Sequence, residues 1–405
     1  MHRSFWLTLA VVGTACSGTG GPETASAQST DTDIGSVSAT QRALRRWGRG
    51  GTSGRGGTVG TGGTVGAGGS SGGSGGSSPG TGGSSTATGG ATGTPTVGGL
   101  FGQPEPWTKD VSALTKDARS DAIIAALKSM GGWGNSNNLQ IDFSIPLFFA
   151  DATTPRRTVT GPSGGGYCYG GPDCDPVPLQ MPVPANGNIE GSSSFTCDTG
   201  NDDCHLLVAD RSQNKLYELY NATQTSAGLS ALVAIVWDLT KAYPPGMRGE
   251  QCTSADAGGF PIAGLLPTAD EVAAGHVDHA IRFILPNARM KAGVYVHPAG
   301  HAGGPSSGNV DAPPYGVRFR LKASFDETPY NAAQRVILHA MKTYGMLLSD
   351  GGNIALTFAD DRTTTAKWSS LGVAAQSFNA IGVDNFEVVD LSPDIRSTQD
   401  CVRNP

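Results

Sequence analysis

The sequence predicts a mainly β protein: a β-sandwich or jelly-roll-like domain with a few packed α-helices, behind a disordered Gly-rich N-terminal region. Three observations point there. Short runs rich in β-branched and aromatic residues recur between turn residues, few segments carry a helical period, and residues from about 50 to 100 are almost entirely Gly, Ser and Thr. The roughly 300 residues after it are enough to bury a full core.

Residues 1–16 read as a signal peptide with a lipobox-like end. His2 and Arg3 give a polar start, and Phe5 to Val12 form an apolar run too short to span a bilayer. Gly13, Thr14 and Ala15 then place small residues directly before Cys16, the candidate lipidation site. A Leu is usual where Gly13 stands, and the competing reading is cleavage near Ala25-Ser26-Ala27 with free secretion. Residues 17–100 form the Gly/Ser/Thr-rich tether, a flexible coil without the aliphatic content for a core.

Residues 101–405 are expected to be a single globular domain with disulfides. Ser120 to Met130 repeats apolar residues at helical spacing and stops at Gly131-Gly132. Strands are expected at His205–Asp210, Lys215–Tyr220 and Ala231–Leu239, spaced as in an antiparallel sheet, and later at 277–285, 293–297, 316–325 and 354–358. Between them, Thr268-Ala-Asp-Glu271 has capping-box spacing for a short helix ended by Gly275. Asn331 to Tyr344 keeps Ala333, Val336, Ile337, Ala340, Met341 and Tyr344 on one face, with Gly345 as its stop.

Setting Cys16 aside leaves six cysteines, an even number suited to an oxidising compartment. Cys168/Cys174 and Cys197/Cys204 each enclose turn residues and can close locally, which leaves Cys252 with Cys401; a zinc site lacks the C-x-x-C pairs it would need. A net charge of -6 gives no electrostatic footprint for nucleic acid. The expected partners are an extracellular polysaccharide or cell-surface glycan, and a membrane only through the lipid anchor. No cofactor or metal is expected.

Four residues are candidates for catalysis. Glu218 alternates with Leu216 and Tyr220, and Asp238 with Ala234 and Val236, so inward faces would carry one carboxylate each, the pairing that glycoside hydrolysis needs. His279 shares a phase with Val277, Ile281, Phe283 and Leu285, while Asp278 and Arg282 point the other way; it is a proton relay or a satisfied core histidine. Asp256 is the candidate base or nucleophile, in a loop where Ser254 could also serve as a nucleophile but lacks the G-x-S-x-G elbow. Arg318, Arg320 and Lys322 form a cationic stripe that would line a groove for an acidic polymer or be neutralised by cross-strand carboxylates. His205 and His301 join them as substrate-binding candidates. His297 and His301, four apart around Pro298 and Gly300, could as an extended loop reach a metal with Asp256 or Asp311.

The segments His205-Leu-Leu-Val, Leu216-Tyr-Glu-Leu-Tyr, Thr253-Ser-Ala-Asp-Ala257, Glu271-Val-Ala-Ala-Gly275 with His279-Ala-Ile-Arg-Phe283, Arg320-Leu-Lys-Ala-Ser-Phe-Asp326 and Lys342-Thr-Tyr-Gly-Met346 resemble a family of secreted bacterial proteins of unassigned function. The resemblance implies a shared extracellular domain and adds no mechanism. Cys204 and His297 depart from it, standing where a basic residue and a Trp are expected.

The expectation is a secreted, envelope-anchored enzyme hydrolysing a glycan by acid–base catalysis. The alternative is a non-catalytic surface module that binds polysaccharide or a partner protein.

Overall fold

The computed structural model describes residues 98–197 and 203–404; the signal segment, Cys16 and the tether through residue 97 lie outside them. The described chain is mainly β with few helices, as the short β-forming runs require. A six-stranded mixed sheet runs in the order β1 (Ile141–Ile145), β15 (Leu356–Ala359), β11 (Ile281–Leu285), β14 (Met346–Gly351), β13 (Arg318–Leu321), β16 (Phe386–Val389). A four-stranded sheet is ordered β2 (Leu147–Ala150), β5 (Leu206–Asp210), β6 (Lys215–Tyr220), β9 (Val233–Asp238), and another β4 (Leu179–Pro182), β3 (Arg156–Thr160), β8 (Gly228–Ser230), β7 (Thr223–Thr225). Two ribbons pair β10 (Gly249–Glu250) with β18 (Val402–Arg403) and β12 (Val294–Tyr295) with β17 (Ile395–Arg396).

The meander β5-β6-β9 is antiparallel, as its turn spacing predicts, whereas β1/β15, β11/β14, β2/β5 and β3/β8 are parallel pairs made by long crossovers. All five residues of β5 are buried because its sheet is covered on both faces. Leu207, Ala209, Leu216, Val233, Ile235 and Trp237 join the large core of the six-stranded sheet, and the alternate residues Leu206, Val208, Tyr217, Leu219 and Ala234 join a second core with Val159, Met181 and Leu229. In the large core, Trp133 lies with ring centroids 6.2, 6.1 and 5.4 Å from Phe283, Phe319 and Phe386, and its indole N–H donates to Ile381 O.

Helices cover the sheets: α1 (Ser120–Ser129) packs on β16, and α2 (Ala269–Ala274) touches α3 (Ala332–Thr343), which packs on β13. The capping box is formed, with Glu271 N–H donating to Thr268 Oγ1 and Thr268 N–H to Glu271 Oε2, and Gly275 ends α2 at φ 92°. Asn331 caps α3 by accepting from Gln334 N–H, and Gly345 at φ 75° turns the chain straight into β14.

The disulfides are Cys168–Cys174, Cys197–Cys204 and Cys252–Cys401, the three pairs that spacing predicts. They indicate an oxidising, extracellular environment. Among the described residues no helix is long and apolar enough to cross a membrane.

Candidate functional site

Arg282 is the centre of a buried polar group. It sits in the apolar run Ile281-Arg-Phe-Ile-Leu285, so strand alternation turns it to the face opposite Ile281 and Phe283, and only 5 % of its side chain is exposed. A guanidinium taken out of water needs its donors matched. Here Nε and Nη2 donate to Asp256 Oδ1 at 3.2 and 2.9 Å, Nη2 also to Asp350 Oδ2 at 2.9 Å, and Nη1 to Thr357 Oγ1 at 2.8 Å. The neighbouring strands deliver those partners. Phe283 pairs with Leu348 but Ile284 with Asp350, a bulge at Ser349 that brings Asp350 into phase with Arg282. On the other side, Thr357 lies opposite Asp142 in the β1/β15 pair.

A second cluster lies beside it where the chain enters β5. His205 Nδ1 is 2.5 Å from Glu190 Oε2 and 3.6 Å from Asp203 Oδ1, and His205 Nε2 is 3.1 Å from Ala255 O. Ser144 Oγ bridges Glu190 Oε1 at 2.8 Å and Asp142 Oδ2 at 3.0 Å. Burial pulls the His205 pKa down, and the charge and hydrogen bond of Glu190 more than reverse it, to about 9. Glu190 and Asp350 keep 12 and 13 % of their side chains exposed and Asp203 64 %, so the group opens to solvent on that side.

Burial raises the acids around Arg282 into the neutral range although the guanidinium opposes it: Asp256 to about 6 and Asp350 to about 7. Asp142 rises to about 6 through burial and the charge of Glu190. Asp256 Oδ2 and the Tyr315 hydroxyl are buried without a hydrogen-bond partner among the described residues. Burial and the charges of Asp350 and Asp256 raise the Tyr315 pKa, so its phenol stays protonated.

The structure brings Asp256 and His205 to this group, with Glu218 close enough for its charge to act on Asp256. The Glu218 carboxylate faces inward, accepting from Trp237 Nε1 and Ala263 N–H at 2.9 Å each, and burial raises it to about 7. Asp238 is a correction to the inward expectation. As the last residue of β9 it lies beyond the core edge, exposed, and accepts from Thr240 N–H and Oγ1 in a turn. His279 is fully buried against α2, its Nδ1 donating to Ala280 O and its Nε2 3.6 Å from Glu271 Oε1, in packing rather than in a cleft. His301 is buried with Nδ1 donating to Ala257 O, while His297 pairs with Glu250, so these two histidines serve different partners. Ser254 Oγ engages the carbonyls of Asp256 and Phe260 and, among the described residues, meets no histidine.

The cationic stripe does not form an open groove. Residues 106–114 lie over it: Arg318 donates to Pro106 O and Tyr344 O, Arg320 to Ser112 O and Leu114 O and to Glu387 across the strand pair, and Lys322 to Asp384 O. Arg318 reaches the wall of a separate cleft of about 570 Å³ that also includes Lys109, His297, Asp390 and Ser392.

Glu190, Asp203 and Arg282 complete the site without being candidates in the sequence, and Asp350, which the sequence places in a turn before Gly351-Gly352, joins them from within β14. A charged residue inside the apolar run 281–285 was the available signal for Arg282. No family model, curated protein or solved structure matches the chain.

Proposed function

We infer that the protein is a secreted, envelope-anchored hydrolase that cleaves an extracellular polysaccharide by acid–base catalysis at the Asp256–Arg282–Asp350 group. The observation that supports it is two carboxyls bridged by one guanidinium nitrogen, both titrating near neutral pH, one at the solvent side and the other with an unpartnered oxygen. In this reading Asp350 gives its proton to the leaving glycosidic oxygen as the C–O bond breaks. Water adds to the anomeric carbon and its proton passes to Asp256 Oδ2. Arg282 holds the two acids in register, and Glu218 supports the group from behind through its charge. The disulfides fit work outside the cytoplasm, and acylation of Cys16 would supply the anchor.

The test is incubation of the purified domain, disulfides intact, with neutral and acidic polysaccharides while reducing ends are measured. Turnover by the wild type that is lost in Asp256→Asn with an unchanged near-UV spectrum supports the reading. Retention on a glycan without turnover would leave the non-catalytic surface module instead.

A further inference from the structure

Glu190, Asp203 and His205 each offer one ligand atom, and these atoms lie within 4.8 Å of one another. The His205 ring is 4 % exposed, and its orientation is set from outside the cluster. Ala255 O can only accept, so Nε2 must carry the ring proton in the bond that joins them. A neutral imidazole then turns the bare lone pair of Nδ1 on the Glu190 and Asp203 oxygens at 2.5 and 3.6 Å. A proton on Nδ1 fills the 2.5 Å gap to Glu190 Oε2, and a cation binding there displaces that proton and moves the two ligand atoms apart.

The surrounding charge favours a cation. Glu190 and Asp203 bring two carboxylates to the imidazole, Asp142 shares Ser144 Oγ with Glu190, and Arg282 is already engaged by Asp256 and Asp350. The outer support has the form seen around bound metals. The second ring nitrogen is fixed by a carbonyl, and the second oxygen of Glu190 accepts from Ser144 Oγ. Asp203, the exposed member, gives a route in from solvent.

We propose that Glu190, Asp203 and His205 Nδ1 bind one divalent transition cation, for which Zn²⁺ is the probe. An imidazole among the donors disfavours Ca²⁺ and Mg²⁺, and three protein ligands leave a coordination position for water or substrate. The site deepens the hydrolase reading, because a cation there would supply a Lewis acid beside Asp350, but metal binding itself does not depend on turnover.

Chelator-stripped protein is titrated with ZnSO₄ by calorimetry, alongside His205→Ala, Asp203→Asn and His297→Ala. The expected result is one site per chain, weakened at least about 100-fold in His205→Ala and unchanged in His297→Ala, a histidine–carboxylate pair elsewhere on the surface. Asp203→Asn, on an exposed side chain, covers the case in which His205→Ala fails to fold, and is expected to weaken binding at least tenfold with the near-UV spectrum unchanged. No Zn²⁺ binding by the wild type, or binding that survives both substitutions, overturns the proposal. Binding without hydrolysis of any glycan overturns the proposed function alone, and hydrolysis by protein that binds no Zn²⁺ overturns this inference alone.

Discussion

Replacing Arg282 with Met keeps the length of the side chain and removes its charge, so it asks how strongly the polar group depends on that guanidinium. Four hydrogen bonds of 2.8 to 3.2 Å vanish, and Asp256 and Asp350 lose their common cation in a site where Asp256 is fully buried. Removing one partner from a buried ion pair costs about 3–5 kcal/mol, since the remaining charge is left uncompensated. The loss should depend on pH in a defined direction. Burial already raises Asp256 to about 6 and Asp350 to about 7, and removing the opposing Arg282 charge raises both further. Well below about 6 the folded wild type and the folded variant both hold these protons, and the penalty is smallest. As pH rises through about 6 to 7 the folded wild type gives them up, its carboxylates held by Arg282, while the folded variant keeps them, so the penalty relative to the wild type grows. Guanidinium-chloride unfolding followed by Trp fluorescence at pH 4.5 and 7, disulfides intact, measures both effects. Converting Asp256 and Asp350 to Asn in the same background should restore part of the loss. A cost below about 1 kcal/mol at pH 7, or one independent of pH, would refute the view that Arg282 organises the group.

Three further outcomes follow from the same physics. Glu218 is raised to about 7 chiefly by burial, from the usual 4.5, so it keeps its proton on folding while the unfolded chain loses it. Stability should fall by about 3 kcal/mol between those two values, and Glu218→Gln should flatten that stretch of a urea-midpoint curve against pH. Cys401→Ser frees a chain end tied across 149 residues to Cys252, and calorimetry should show a loss of about 2–5 kcal/mol. Asp238→Asn changes an exposed turn carboxylate bonded to Thr240, so glycan turnover should equal that of the wild type.

What was legible in the sequence is what local chemistry decides. Thr268 and Glu271 specify their capping box within four residues, Asn331 and Gly345 bracket α3, and Lys215–Tyr220 carries apolar residues in both phases because one face of β6 belongs to each of two cores. Alternation reports that a strand has two faces and leaves open what covers each. That is why Arg282, phased away from Phe283, is buried, and why Arg318 and Arg320 lie under residues 106–114. Asp350 depends on a bulge at Ser349 that pairing with β11 creates, and Glu190 sits in a turn-rich loop that reads as surface until His205 meets it. The continuous apolar run in β5 was the clue to a sheet covered on both sides, and a buried sheet face beside charged residues must gather partners for them.

The measurement that bears most directly on the site is the pH dependence of kcat for reducing-end release by the wild type and by Asp350→Asn, with folding checked by near-UV circular dichroism. Wild-type turnover is expected to decline above about 7 as Asp350 loses its proton, and the variant, folded, to be slower by at least about 100-fold. A folded Asp350→Asn protein turning over at the wild-type rate with the same pH profile would contradict this role of Asp350.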